Sequence, residues 1–370
     1  MLPSRMKQPS THLPRRSSLP VEVARCLRER LTRGDWVRLL PGELELAREL
    51  QVGRNTIRAA LAVLEKDGLI CTTSGKRREV LGKIKRARKP LVKVAVVLLP
   101  APWQTLPSAT LLLMDALRSR LHGAGWQMQM VVEAAAFRRT PSAALESLTA
   151  RHPSAVWILY RSTVAIQRWF EKHRHDTVVA GSCHSGLALP QVDINYRVTC
   201  RHAAGRLSGM GHHRLAVLAP VISFPGDEES LKGFREGAGN AEVIVLRTHD
   251  TRSGVIQSLR TLLSGRDQPT AIFTFEARHA VAALTYLSQQ GVAIPSQMSL
   301  LSRNDDPLLT HLVPEPARYE RLPDAFAKKL AQLVISVGNG LPSKQTKHLI
   351  MPTFVRGETL GHPPVLKKNR

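Results

Sequence analysis

Between Leu40 and Val80 the apolar positions fall at helical spacing. In Arg54–Asp67, the residues Ile57, Ala60, Leu61 and Leu64 stand at i, i+3, i+4 and i+7, which predicts a helix with one buried face. A shorter pattern, about Glu43 to Leu50, offers Leu46, Ala47 and Leu50 to that face, with Gln51-Val52-Gly53 as the turn between the two. Upstream, Val23, Leu27 and Leu31 predict a first helix over Leu19–Thr32, stopped at Gly34. Downstream, Leu69 to Thr73 reads as a strand, Ser74 to Arg78 as a basic turn and Glu79 to Leu81 as a return strand. Helix, turn, helix and basic hairpin together make a winged helix-turn-helix.

From Leu91 onward the pattern changes to apolar runs of strand length alternating with helical stretches. The runs are Val92–Leu99, Gln127–Val132, Ala155–Leu159, Thr177–Ala180, Leu215–Leu218, Glu242–Leu246, Ala271–Phe275 and Ser299–Leu301. Between them lie helical segments at Ala109–Leu121, Ser142–Ala150 and Thr163–Lys172. Another, entered through Val192-Asp193-Ile194-Asn195-Tyr196, runs on to Leu207, and a last one spans about Pro323 to Val337. This is the texture of α/β architecture with parallel sheets covered on both faces, and a dozen such repeats exceed one small sheet.

Length and charge sharpen the division. A chain of 370 residues exceeds one ordinary domain. Five segments are expected: a mobile basic tail over 1–18, a winged-helix domain over 19–81, a basic linker over 82–90, a two-lobed domain over 91–360 and a tail over 361–370. Residues 1–90 hold 21 basic and 9 acidic residues, whereas 91–370 hold 32 and 20, so positive charge is densest on the segment read as a DNA reader. A basic face alone would suit RNA or an anionic membrane equally. No apolar run reaches the roughly 18–20 residues needed to span a bilayer, and Lys7, Arg15 and Arg16 interrupt the N-terminus, so a cytoplasmic protein with no membrane partner is expected. Cys26, Cys71, Cys183 and Cys200 form no close pair and have no His at ligand spacing, which reads as reduced thiols without a metal site. Neither HExxH nor GxSxG occurs, so neither an enzyme nor a cofactor is expected.

The segment LPGELELARELQVGRNTIRAAL resembles the LPSERELA signature and the VSR.TVR.AL block of GntR-family bacterial transcription regulators, over about residues 19–81. The resemblance implies DNA contacts at Arg54, Asn55, Thr56 and Arg58 in the recognition helix, and at Gly75 with the neighbouring Lys76 in the wing. Arg can fork onto guanine or phosphate, and Asn suits adenine. Two departures are visible. Leu44 stands where the family has an Arg, and Gly42 and Gly53 stand where it has Ser caps.

Residues 91–360 resemble the effector-binding domain of LacI-type repressors, a two-lobed fold shared with periplasmic sugar-binding proteins. The matching blocks are Val94–Pro100, Gly211–Val217, Lys232–Glu236, Pro269–Phe273, Gly291–Leu300 and Val355–Thr359. Ligands in such folds bind where strands end, between the lobes. The resemblance directs attention to the loops holding Trp103, Arg161, Ser182 to His184, Phe224, Glu276, Asn304 and Asp305, and to Arg197. Trp103 either stacks on a sugar ring or caps the lobe interface. Glu276 holds a ligand or faces solvent, and Arg197 contacts ligand or bridges the lobes. His212 and His213 form a turn before a strand, a structural role. Glu276-Ala277 replaces the family's Asn-Asp, Asn304 replaces its leading Asp, and Ser230 replaces an Arg three residues before the Gly of GFRE.

The combined expectation is a transcription regulator, in first place a repressor. It would bind a double-stranded DNA operator as a homodimer under control of a small-molecule effector, with a carbohydrate among the candidates. The alternative is a ligand-independent or architectural DNA-binding protein with a degenerate cleft.

Overall fold

The chain divides into two compact units, Met1–Val92 and Lys93–Arg370. The computed structural model describes residues 18–33, 35–36, 39–72, 78–81, 93–265, 267–341 and 346–364. The expected N-terminal tail, the tip of the wing with Gly75 and Lys76, the linker and the last six residues lie outside the described residues.

In the first unit, α1 (Leu19–Arg33), α2 (Glu43–Glu49) and α3 (Arg54–Lys66) are followed by the two-residue strands β1 (Ile70–Cys71) and β2 (Glu79–Val80), paired antiparallel. The helical spacing does what it predicts: Ile57, Ala60, Leu61 and Leu64 of α3 are fully buried with Leu27, Leu31, Leu46 and Ile70 in one core. Gly42 and Gly53 are the N-caps of α2 and α3 and make no side-chain cap. Gly in place of Ser costs only a few tenths of a kcal/mol at such a position.

The second unit holds two six-stranded sheets. The first lobe runs through β3 (Lys93–Leu99), α4 (Ser108–Gly123), β4 (Trp126–Val132), α5 (Ser142–Arg151), β5 (Ala155–Tyr160), α6 (Val164–Lys172), β6 (Thr177–Ala180) and β7 (Gln191–Ile194). The second lobe continues through α7 (Tyr196–Gly209), β8 (Arg214–Pro220), α8 (Pro225–Gly237), β9 (Glu242–Thr248), α9 (Arg252–Leu263), β10 (Ala271–Thr274), α10 (Ala277–Gln289), β11 (Ser299–Ser302) and β12 (Ala317–Glu320). The chain then returns: α11 (Pro323–Gly338) packs into the core of the first lobe, β13 (Lys347–Ile350) pairs with β7, and β14 (Thr353–Val355) crosses back to pair antiparallel with β12. Three segments, near residues 195, 322 and 351, therefore connect the lobes. Strand orders are 4-3-5-6-7-13 and 9-8-10-11-12-14, parallel except for β14. In each sheet the winding direction reverses beside the first strand, between β3 and β5 and between β8 and β10. Those are the switch points where open α/β sheets leave a crevice at their carboxyl ends.

Each sheet is buried on both faces, by α4 and α11 against one side of the first and by α5 and α6 against the other. In the second lobe α7 and α8 cross at backbone contact. A Cβ on Gly233 would lie 2.0 Å from the Arg197 carbonyl oxygen, and one on Gly237 would lie 2.0 Å from that of Arg201. This explains the glycine of the Lys232–Glu236 block. Gly233→Ala is expected to lower stability by at least about 1–3 kcal/mol, as overpacking does. Gly209→Ala, where nothing lies within 4 Å, should be neutral or slightly stabilising. Urea unfolding of both variants checks the contrast, and equal effects would refute the close-crossing account.

Candidate functional site

Two places concentrate polar groups without an obvious structural purpose: the exposed end of α3 and the crevice between the two sheets.

At the start of α3, Arg54, Asn55 and Arg58 are exposed and Thr56 is half-buried. Arg58 is held rather than loose, since its Nη2 donates to Glu43 Oε2 at 3.2 Å. Glu43 also accepts from Arg78 at 3.0 Å, and Arg78 donates through Nε to Glu65 Oε1 at 3.0 Å. Burial raises the pKa of the Glu43 carboxyl, but Arg58 and Arg78 outweigh it and hold the group below its ordinary value. One carboxylate thus positions an exposed arginine of α3 and the arginine just before β2. Leu44, at the expected Arg position, is about half exposed and adds no charge.

The crevice is a cavity of about 150 Å³. Its lining comes from the carboxyl ends of strands: Thr110 after β3, Arg161 after β5, Ser182 after β6, Asp193 in β7, Phe224 to Asp227 after β8 and Glu276 after β10. Arg303 and Asn304 follow β11, and Arg321 follows β12. The central group is Arg303, 4% exposed. Its Nη1 donates to Asp227 Oδ1 at 2.8 Å and to Ser230 Oγ at 2.7 Å, and its guanidinium lies over the rings of Phe275 and Tyr196 at 4.1 and 4.5 Å. Burial opposes this charge, but Asp227, Tyr196 and Glu276 more than restore it. On the other wall Asp193 is 6% exposed and accepts from Ser182 Oγ at 2.6 Å and from the Ile194 N–H at 2.8 Å. Burial pushes its carboxyl up to about 6 despite those bonds and the nearby Arg303 and Arg321. Arg161, on a backbone with φ of 48°, reaches from the first lobe to lie over the Phe224 ring of the second at 4.9 Å.

Of the residues expected to hold ligand, Phe224, Glu276 and Asn304 line this cavity. Trp103, Arg197 and Asp305 do not line it. Trp103 sits in a short 3-10 turn, 48% exposed, and Pro107, Ala109, Thr110 and Leu113 line the cavity in its place. Arg197 donates through Nε to Glu236 Oε1 of α8 at 3.0 Å, so it bridges two helices of one lobe. Asp305 accepts from Arg318 Nε at 2.7 Å. Sequence reading missed Asp193, Tyr196, Asp227, Arg303 and Arg321. For Asp193 and Tyr196 the sequence holds a signal, because Val192 to Tyr196 leads into a helix and a strand there places them at its carboxyl end. His212 is structural: Nδ1 lies 2.8 Å from Thr270 Oγ1, and Nε2 lies 2.9 Å from the Gly361 carbonyl oxygen. Among the described residues no group of three His, Cys, Asp or Glu is placed to hold a metal, and no helix is long and apolar enough to cross a membrane.

A helical reader with a short hairpin, followed by two parallel sheets around a polar crevice, defines a helix-turn-helix protein that carries a two-lobed binding fold. Comparison with known proteins agrees. Residues 19–80 match the model for bacterial regulatory proteins of the gntR family, and residues 204–360 match the periplasmic binding protein-like domain. The chain therefore joins a gntR-family domain to a periplasmic binding protein-like domain. Among curated proteins it is similar to the HTH-type transcriptional regulator GalS of Salmonella typhimurium, 27% identical over 191 residues, which are 50% of this chain and 54% of that protein. It is also similar to the ribose operon repressor of Haemophilus influenzae, 23% identical over 203 residues, 53% of this chain and 57% of that one. The chain spans little more than half the length of these relatives. Among solved structures, a regulatory protein of the LacI family from Chloroflexus aggregans superposes with a TM-score of 0.65 at 18% identity, covering 73% of this chain and 99% of that one. A LacI family regulator from Enterococcus faecium with bound ribose gives 0.61, also at 18% identity, over 73% and 99% of the two chains. At this identity the likeness shows the fold.

The Asp193 carboxyl provides a test of the cleft's electrostatics. Its folded pKa, about 6, lies above the ordinary 3.8. The folded state then binds the proton more tightly than the unfolded state, so the protonated group favours folding at low pH and that contribution is lost as pH rises through about 6. Relative to Asp193→Asn, the wild type should lose unfolding free energy between about pH 4 and 6 and run parallel above. Urea titrations across this range measure it, and a constant difference would mean that the carboxyl ionises normally.

Proposed function

We propose that this chain is a sequence-specific DNA-binding transcription regulator, in first place a repressor, controlled by a small molecule held between the two lobes. The observation that carries the reading is the pairing of a surface and a cavity in one chain. Arg54, Asn55 and Arg58 project from the N-terminal end of α3, and a separate unit encloses a polar cavity at the switch points of two parallel sheets. An exposed helix end with Arg and Asn suits major-groove base edges, Arg forking onto guanine and Asn onto adenine. The similarity to GalS and to a ribose operon repressor supports a carbohydrate as the class of effector.

The protein works in the cytoplasm as a homodimer on this reading, its two recognition helices entering successive major grooves of a near-palindromic operator. Effector binding closes the lobes and shifts the population of dimer geometries that fit the operator, which relieves repression. A ligand-independent architectural role would not call for buried polar groups converging on a crevice, and the cavity favours the regulated reading.

Selection from a random duplex library followed by footprinting supplies the operator. Arg54→Ala and Arg58→Ala should each then lose roughly 1–3 kcal/mol of specific binding. Glu43→Gln, which releases Arg58 and Arg78, should weaken specific binding more than non-specific binding. Unchanged operator affinity in both arginine variants would overturn the recognition-helix assignment.

A further inference from the structure

Three guanidiniums, Arg161, Arg303 and Arg321, and three carboxylates, Asp193, Asp227 and Glu276, line the cavity, and they are unevenly paired. Its three carboxylates already have partners. Asp227 binds Arg303 and, through Oδ2, the Phe224 N–H at 3.0 Å, while Asp193 is bonded to Ser182. Glu276 accepts from Asn304 Nδ2 at 3.3 Å and lies 3.9 Å from Arg303. Two further guanidiniums, Arg161 and Arg321, line the cavity without an ion pair among the described residues. Arg161 has the Phe224 ring as its neighbour, and the Nε of Arg321 is buried without a partner.

The backbone adds to this. The first turns of α4, α8 and α11 all contribute lining residues: Ala109 and Thr110, Pro225 to Asp227, and Pro323 with the cap Leu322. α4 and α11, each 16 residues long, are capped by Pro107 and Leu322 and have no side-chain cap. The positive ends of the α4 and α11 dipoles thus face the same space, which favours an anion there. An independent sign of a ligand comes from Arg303 and Asn304, both more than nine-tenths buried. The donor Nε of Arg303 and the acceptor Oδ1 of Asn304 have no partner, although buried polar atoms in native folds nearly always find one. A ligand meeting all of these groups needs a negative charge for the arginines and a hydroxyl to donate to Asn304.

We infer that the effector is an anionic carbohydrate, a sugar acid or a sugar phosphate, whose carboxylate or phosphate is held by Arg321 and Arg161 while its hydroxyls meet Asn304 and Glu276. The inference rests on the proposed effector role of the cavity and narrows it to charged members of the class.

The test uses the full-length protein with matched probes: ribose and galactose, the aldonates ribonate and galactonate, ribose 5-phosphate and galactose 6-phosphate, and inorganic phosphate against chloride at equal ionic strength. Calorimetry and thermal denaturation read binding. An anionic probe should bind at least about tenfold tighter than its neutral parent, the factor of one charge-assisted hydrogen bond. Whether aldonates or phosphate esters win identifies the anionic group. Arg321→Gln and Arg161→Gln should bring anion and parent to near parity, while Arg321→Lys and the exposed control Arg168→Gln keep the preference. Neutral sugars binding as tightly as the anions would overturn the inference and leave the effector reading intact. Stabilisation by inorganic phosphate that Arg321→Gln abolishes, with no sugar bound, would keep the anion site and sink the carbohydrate class. Binding of neither phosphate nor any sugar would overturn both.

Discussion

A guanidinium taken out of water must be paired or the fold cannot hold it, and Arg303 places that constraint at the centre of the second unit. Its partners come from separated parts of the chain: Asp227 and Ser230 from α8, Tyr196 from the start of α7 and Phe275 from the end of β10. Its own N–H donates to the Thr274 carbonyl oxygen at 2.7 Å, which fixes the ends of β10 and β11 together. Removing one member of such a buried pair generally costs about 3–5 kcal/mol, because the other is left charged and unpartnered. The interaction therefore works in both directions. It pins the floor of the crevice in one arrangement, and it pairs the charge of Asp227 with that of Arg303, so Arg161 and Arg321 remain as guanidiniums without an ion pair among the described residues.

The close crossing of α7 and α8 serves the same point. Gly233 and Gly237 let α8 lie against the carbonyls of Arg197 and Arg201, and this brings the first turn of α8 over the start of α7. There Gly226 lets Tyr196 approach to within 2.9 Å of where a Cβ would stand. A side chain at 226 would push Tyr196 off the guanidinium. Backbone packing at one end of the helix pair and ligand-facing chemistry at the other are thus parts of one geometric solution. On the first wall the equivalent rigidity comes from strands: Asp193 sits inside β7, between β6 and β13, and not on a free loop.

What could be read from the sequence was what local periodicity encodes. The buried face of α3 was legible residue by residue, because its four apolar positions follow one period and face one core. The strands β3 to β6 and β8 to β11 were legible to within a residue or two, because a strand buried on both faces is a continuous apolar run, as Ala95 to Leu99 shows. The edges were not. β13 and β14 are short and half-exposed, Lys347-His348-Leu349-Ile350 has no strong pattern, and their partners β7 and β12 lie far back in the chain. Within the crevice, looking after strands found Phe224, Glu276 and Asn304 but also chose Trp103 and Asp305, since the rule marks a loop and not the direction of a side chain. Arg197 failed by a single step. One residue along a helix turns the side chain by about 100°, so Tyr196 faces the cavity while Arg197 faces α8.

The departures from the resembling family show why residue-by-residue comparison misjudges a polar site. Ser230 in place of an Arg, taken alone, removes a guanidinium, and Asn304 in place of an Asp removes a charge. In the structure the two changes belong to one network. Arg303, next to Asn304, sends its guanidinium to the Ser230 hydroxyl, where a long side chain at 230 would compete for the same space. Glu276 then lies within 3.9 Å of that guanidinium and accepts from the Asn304 amide. An aspartate at 304 would set two carboxylates against each other, and the amide converts that repulsion into a hydrogen bond. The donors and acceptors have been redistributed among β10, β11 and α8 without being lost. Such an exchange keeps a crevice able to select a ligand while changing which ligand it selects, because specificity lies in the positions of the few charged groups and not in their number.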